Sequence, residues 1–171
     1  MTSILKVDTI QTTAGAAPTA KDLGFASGSV VQVINNKSST YITTTSSSFV
    51  EASTDYRTTI TPKYSDSKIL FFCGLGIGVE NNSSHDSSGV YKLYDQTAGA
   101  DVANTETRLR CYDYGGSGLY MQIGGGFSIQ IDSWGTTAKT FTFQVRNHAG
   151  VRVRVNDECD NTYMTIMEIA Q

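Results

Sequence analysis

The sequence is poor in charge. Asp, Glu, Lys and Arg make up 17% of its 171 residues, against about 25% in an average domain. The net charge is −3 and no stretch concentrates Lys or Arg. A surface for nucleic-acid backbone is therefore not expected. Long apolar runs are also missing. No segment approaches the ~20 residues of a membrane-spanning helix, so no membrane insertion is expected. The opening Met1-Thr2-Ser3-Ile4-Leu5-Lys6 lacks a basic flank followed by an apolar core, so it does not read as a signal peptide. Synthesis in the cytoplasm is expected, and no glycan is expected at the sequons Asn36-Lys37-Ser38 and Asn82-Ser83-Ser84. The three cysteines, Cys73, Cys111 and Cys159, are widely spaced and show neither a disulfide framework nor a zinc pattern. Helical periodicity is absent throughout, which excludes a coiled coil.

What is present is β. The chain holds 7 Phe, 9 Tyr and 1 Trp, too many aromatics for a disordered tail. A chain of this length can bury about 70% of its unfolded surface, enough for one real core. Val30 to Ile34, Arg57 to Ile60, Gly89 to Tyr94, Thr107 to Tyr112, Lys139 to Arg146, Val151 to Val155 and Thr162 to Ile169 read as strands. Thr40 to Val50 reads as one or two exposed ones. Two stretches are longer. In Lys68 to Val79, glycines 74, 76 and 78 alternate with Leu75, Ile77 and Val79. One face is apolar and the other bare, open to a backbone or a large ring. Gly118 to Ile131 is the second, which Gly124-Gly125-Gly126 is expected to interrupt. Eight to ten strands at roughly 10–15-residue spacing predict an all-β antiparallel sandwich, and the two double-length strands suggest a jelly roll.

Residues 1–27 stand apart. Ile4, Leu5, Val7 and Ile10 form a short apolar stretch, followed by small polar residues that cannot bury enough surface to fold alone. Pro18 to Leu23 could form one helical turn closed by Gly24. Two readings stand, a floppy terminus or an arm that orders against a partner. The domain division is 1–27 for the extended arm and 28–171 for the sandwich.

Catalytic chemistry finds no support, and the chain is not expected to be an enzyme. His85 falls in the polar run Asn81 to Ser88, read as a loop. His148 falls in the Asn147–Gly150 turn, read as a hairpin position. A general base needs a held geometry that neither supplies. The carboxylates Asp95, Asp101, Glu106, Asp113, Asp132, Asp157 and Glu158 show no glycosidase spacing and read as solvated loop residues. The run Asn156-Asp157-Glu158-Cys159-Asp160 offers oxygen ligands for Ca²⁺ but lacks the twelve-residue loop pattern. No cofactor and no metal are expected. Arg152 and Arg154 share one strand face, either solvated or in contact with acidic groups of a neighbouring subunit. Tyr112, Asp113, Tyr114 and Tyr120 surround a Gly-rich loop. They are candidate receptor contacts or tyrosines packing the sandwich edge.

The run Ser3-Ile4-Leu5-Lys6-Val7-Asp8-Thr9-Ile10-Gln11-Thr12-Thr13-Ala14-Gly15-Ala16-Ala17-Pro18-Thr19 resembles the opening of small virion proteins of marine tailed bacteriophages, cyanophages among them. The likeness continues in Gly28 to Val33, Thr59 to Pro62, Ser67 to Leu70 and Thr165 to Ile169. It implies a phage particle component attached through Ile4, Leu5, Val7 and Ile10 to other tail or capsid proteins. Domains of this type are commonly homotrimeric jelly rolls similar in architecture to tumour necrosis factor and C1q heads. The expected function is a tail-fibre component contributing to attachment to a host-surface glycan or protein. The alternative is a capsid decoration protein that stabilises the head.

Overall fold

The computed structural model describes residues 21–80, 85–113, 120–157 and 162–171. These form twelve strands: Val30–Ser38 (β1), Ile42–Thr44 (β2), Val50–Glu51 (β3), Thr58–Ile60 (β4), Lys68–Glu80 (β5), His85–Asp95 (β6), Ala100–Asp101 (β7), Thr107–Asp113 (β8), Tyr120–Asp132 (β9), Lys139–Ala149 (β10), Arg152–Val155 (β11) and Thr162–Ile169 (β12). The helical content is two single turns of 3-10 helix, Lys21–Leu23 and Thr54–Tyr56. The first is the turn expected before Gly24, which adopts φ 79°.

Two antiparallel sheets face each other. In the first, β5 pairs with β9 along one side. Along the other side β12 covers its first half and β11 its second, with β1 beyond β12 and β2 beyond β11. In the second sheet β10 and β6 are central. β4 and β3 flank β10, and β8 and β7 flank β6. The main strands run β1-β12-β5-β9 in one sheet and β4-β10-β6-β8 in the other. This alternation between sheets is the expected jelly roll.

Alternation along β5 builds the core. Ile69, Phe71, Cys73, Leu75, Ile77 and Val79 all point inward and are buried. They meet Phe141, Phe143 and Val145 of β10 and Tyr91 and Leu93 of β6. The Phe71 and Phe141 rings pack edge to face with centroids 4.8 Å apart. Each such ring contributes about 1.5–3 kcal/mol by leaving water. Cys73 is buried among them, which pushes its thiol up to about 12.

The bare face of β5 is used as its glycines predict. A methyl group at Gly74 would overlap the Tyr163 ring, and one at Gly78 would lie 2.7 Å from the Tyr120 hydroxyl oxygen. Each tyrosine lies across its glycine, reaching over from a neighbouring strand.

Three local expectations are corrected. Gly124-Gly125-Gly126 does not interrupt a strand: β9 pairs with β5 at thirteen consecutive positions. Gly126 and Gly124 sit opposite Gly74 and Gly76, with Gly125 opposite Leu75, so the outward side of both strands is bare backbone there. His85 is the first residue of β6, opposite Asp113, not part of a loop. His148 lies on β10 and not in a hairpin turn. The chain leaves the second sheet at Ala149, turns at Gly150 (φ 94°), and enters the first sheet at Arg152. The strands flanking that turn therefore belong to different sheets, and Val151 stands before β11, not in it.

The sheets are tied together by polar contacts at their ends. Glu168 is 0% exposed. Its carboxylate accepts from the backbone N–H groups of Lys63 and Tyr64, from Ser67 Oγ and from Gln32 Nε2, at 2.6–2.9 Å. Loop 61–67 is thereby held against β12. At the opposite end of β12, the Asn156 amide donates to Ser38 O and Tyr56 Oη, and its oxygen accepts from Thr162 Oγ1. Replacing Glu168 by Ala strands several donors at once, at a cost of about 1–3 kcal/mol for each one left dry. Glu168→Ala is expected to lower stability by about 3 kcal/mol or more in urea unfolding.

Candidate functional site

The two ends of the sandwich differ. At one end, called upper here, Glu80 of β5 faces Tyr120 of β9, and His85 of β6 faces Asp113 of β8. Segments 81–84 and 114–119 both start and finish there. The turn at Gly150 joins them, with Val151 N donating to Glu80 O at 2.9 Å. At the lower end Lys68 faces Asp132 and Ile169. The described chain enters there: Gly28 N donates to Ala170 O, Ala170 N to Ser29 O, and the Phe25 ring packs on Tyr64.

The candidate attachment residues Ile4, Leu5, Val7 and Ile10 lie outside the described residues, as does Tyr114. Tyr112, next to last in β8, is 49% exposed, with the Arg110 guanidinium 4.3 Å above its ring. Asp113 is the last residue of β8 and Tyr120 the first of β9. The structure brings these residues to the same end but on different sheets. Tyr120 is drawn the other way, towards Arg154, whose guanidinium lies 4.7 Å from its ring.

Arg152 and Arg154 find acidic partners within the chain. Arg152 makes a two-pronged contact with Glu80 at 2.7 and 3.0 Å. Arg154 bridges Glu80 and Asp157. These guanidinium groups hold the Glu80 and Asp157 carboxyls below their ordinary range, chiefly through the hydrogen bonds from Arg152 and Arg154 respectively. The cluster pins the upper ends of β5, β11 and β9 beneath Tyr120. Of the run proposed for Ca²⁺, Asn156 and Asp157 are committed to the contacts above, and residues 158–160 lie outside the described residues.

The other carboxylates read as solvated are mostly in ion pairs. Asp95 is buried and accepts from Lys139 Nζ at 2.8 Å. Asp101 holds the buried Lys92 at 2.6 Å. Glu106 meets Arg146 at 3.5 Å. Backbone alternation alone does not show which strand carries the opposite charge, so these pairs were invisible in sequence. A shallow cleft lined by Asn36, Tyr56, Phe143, Thr162 and Met164 has no room even for a water molecule, far from the ~300–1,000 Å³ of a small-molecule site.

The outer faces of the two sheets are unlike. The second sheet carries ion pairs across its outer surface: Arg57–Glu51, Lys92–Asp101, Arg110–Asp86 and Arg146–Glu106. The first sheet carries apolar groups there. Val33, Phe72 and Tyr163 are 51%, 39% and 45% exposed, and Leu70 and Met167 are half-buried beside them. The strand register places Val33, Met167 and Leu70 in one row, and Asn35, Thr165, Phe72 and Ser128 in the next. Sequence reading missed this patch. Its signal was the doublets Phe71-Phe72 and Ile166-Met167, which put apolar groups on both faces of one strand.

The Glu80 cluster sets a pH dependence. A carboxyl lowered on folding contributes stability that is full above its ordinary value, about 4.5 for Glu. That stability is lost as pH falls through the folded value. Glu80→Gln is expected to melt below the wild type at pH 7. The gap should narrow on acidification below about pH 4.5, as read by melting temperature against pH. Compared with known proteins, the chain matches no family model and no curated protein.

Proposed function

We propose that the chain is a non-enzymatic structural protein of a bacteriophage particle, a homotrimeric tail-fibre component that presents its upper end to the host surface. The observation that carries this reading is the polarity of the sandwich. The arm joins at the lower end, beside Ala170. The strands flanking segments 81–84 and 114–119 end at Glu80, His85, Asp113 and Tyr120 at the other end, separated from the arm by the thirteen-residue span of β5 and β9, roughly 40 Å of strand. A domain entered at one end, with these connections at the other, is built for display.

Tyr112 supports a contact role at that upper end, since its ring is half exposed and stiffened by Arg110. Weak single contacts, multiplied over a trimer and several fibres, supply avidity without a deep pocket. The opening that resembles marine phage virion proteins supplies the particle and its other proteins as partners.

Deleting residues 1–20 tests the arm. The truncated chain is expected to keep its β circular dichroism and melting temperature but to be lost from assembled particles. Incorporation at the wild-type level would overturn the arm reading. An antibody against residues 80–126, imaged on purified virions, tests the location. Label at the tail is expected, while label spread over the head would make the chain a decoration protein.

A further inference from the structure

The six arginines of the chain are not equivalent. Arg57, Arg110, Arg152 and Arg154 each hold a carboxylate at 2.9 Å or closer. No such contact joins Arg108 or Arg146 to the described residues. The carboxylate beside Arg108 is that of Asp86, at 3.8 Å, and Asp86 already takes both prongs of Arg110. Arg108 Nη2 donates instead to Ser88 Oγ at 2.9 Å. Arg146 meets Glu106 at 3.5 Å, its Nη1 lies 3.2 Å from His148 Nδ1, and its buried Nε has no partner.

These two arginines lie in one row. The register sets Arg108 of β8 and Arg146 of β10 on either side of Val90 of β6. All three point away from the core, since Leu109, Val145 and Tyr91 beside them pack in it or against it. Val90 is nevertheless 1% exposed. The flanking arginine stems are placed to cover it, as long cationic side chains cover apolar surface while their heads reach water. Phe49 steadies one of them, with its ring 4.9 Å from the Arg146 guanidinium. The two Cα atoms stand two strand spacings apart, roughly 10 Å, a gap that two arginine side chains can close around one small anion. Lys92 and Arg110, the other cations beside this row, are closed on Asp101 and Asp86. Arg108 and Arg146 are left with Glu106 between them. The row therefore carries an unbalanced positive charge on a chain whose net charge is −3.

We propose that this row binds an acidic saccharide, with a carboxylate of the sugar seated between Arg108 and Arg146 above Val90. The planar fork of a guanidinium matches a carboxylate, and two forks can hold it from both sides. From there an extended saccharide follows β8 toward the upper end. Arg110 and Tyr112 take the next two outward positions, roughly 14 Å of strand from Arg108 to Tyr112. The half-exposed Tyr112 ring, with Arg110 against it, offers a rigid, partly apolar surface to a sugar ring. A polymer lying along a strand needs no enclosed pocket, and repeated weak sites add avidity. A nucleic acid fits less well, because its phosphates are neutralised by several cations in series and here one charge is unbalanced. The inference rests on the reading of the upper end as the surface shown to the host, and names the chemistry recognised there.

Biolayer interferometry of the full-length protein on immobilised polygalacturonate and alginate tests the site. Binding is expected, weakened by added salt. It is expected to vanish on fully methyl-esterified polygalacturonate, which keeps the sugar and loses the charge. Arg108→Gln and Arg146→Gln are each expected to weaken binding about tenfold or more, the scale of one lost hydrogen bond to a charged group. Lys68→Gln, the same loss of charge on the first sheet, is expected to bind like the wild type. No binding to either polymer, equal binding to the methyl ester, or arginine variants that bind like the wild type overturn the site. Equal binding of single-stranded DNA of matched charge overturns the saccharide. Should Arg146→Gln lose its β circular dichroism, Arg108→Glu, at an exposed position of an edge strand, decides alone. The site and the display reading fail separately. Antibody label on the head, with polygalacturonate still bound through both arginines, removes the display and keeps the site. Label at the tail, with neither polymer bound, keeps the display and removes the site.

Discussion

The thirteen-position pairing of β5 with β9 is the constraint on which the rest of the structure depends. A strand has a side-chain period of two, so a slip of one residue would turn Phe71, Leu75 and Ile77 out to the opposite face. The register is fixed from both sides. Inward, the apolar groups of β5 fill the space before Phe141 and Phe143. Outward, Tyr163 and Tyr120 fit only above Gly74 and Gly78. In a slipped register the rings would meet Cys73 or Leu75, or Ile77 or Val79, where a side chain already stands. The bare glycines thus contribute specificity as well as close approach, although glycine weakens a strand taken alone.

From that register the chemical difference between the two outer faces follows. Charged residues on the second sheet reach opposite charges diagonally, as Lys92 reaches Asp101 on β7 and Arg110 reaches Asp86 on β6, so these charges of its outer surface are satisfied within the chain. The rows of the first sheet hold Val33 with Met167 and Leu70, and Thr165 with Phe72. Apart from Lys37 on the edge strand β1, its charges collect near its ends, in the Glu80 cluster above and the loose Lys68–Asp132 pair at 3.9 Å below. Exposed ion pairs are worth little singly. Their placement still separates a face suited to water from one suited to protein.

Much of this fold was legible in sequence, because strand alternation is a local signal. Both double-length strands, the glycine face and the jelly roll follow from residues read in order. The failures have a common cause. Gly124-Gly125-Gly126 looks like a break when β9 is read alone and is regular once it lies against the glycines of β5. His148 and Val151 look like a hairpin because both flanking runs alternate, yet alternation does not say which sheet a strand joins. The partners of Arg152 and Arg154 were similarly hidden: Glu80 is more than seventy positions away in sequence and adjacent only through β5–β11 pairing. Glu168 shares the inward side of β12 with Met164 and Ile166. The donors that satisfy its carboxylate there come from loop 61–67 and Gln32, and no local pattern announces them.

The arm, the upper end and the outer face make different demands on the same sandwich. An element that transmits attachment from one end to the other must be stiff along its length, and β5 and β9 are the two strands that span it. The Glu80, Arg152, Arg154 and Asp157 cluster ties the upper ends of these strands to β11, and Glu168 ties the lower loop to β12. Between these two ties the outer face of the first sheet is bare backbone with apolar and small polar side chains, and Lys37 on the edge strand β1 is its one charge among the described residues. Ionic contacts tolerate small shifts of their long side chains, while a flat packed surface does not. Charge therefore suits the ends, where loops must be held, and its absence suits the middle, where a sheet can be covered.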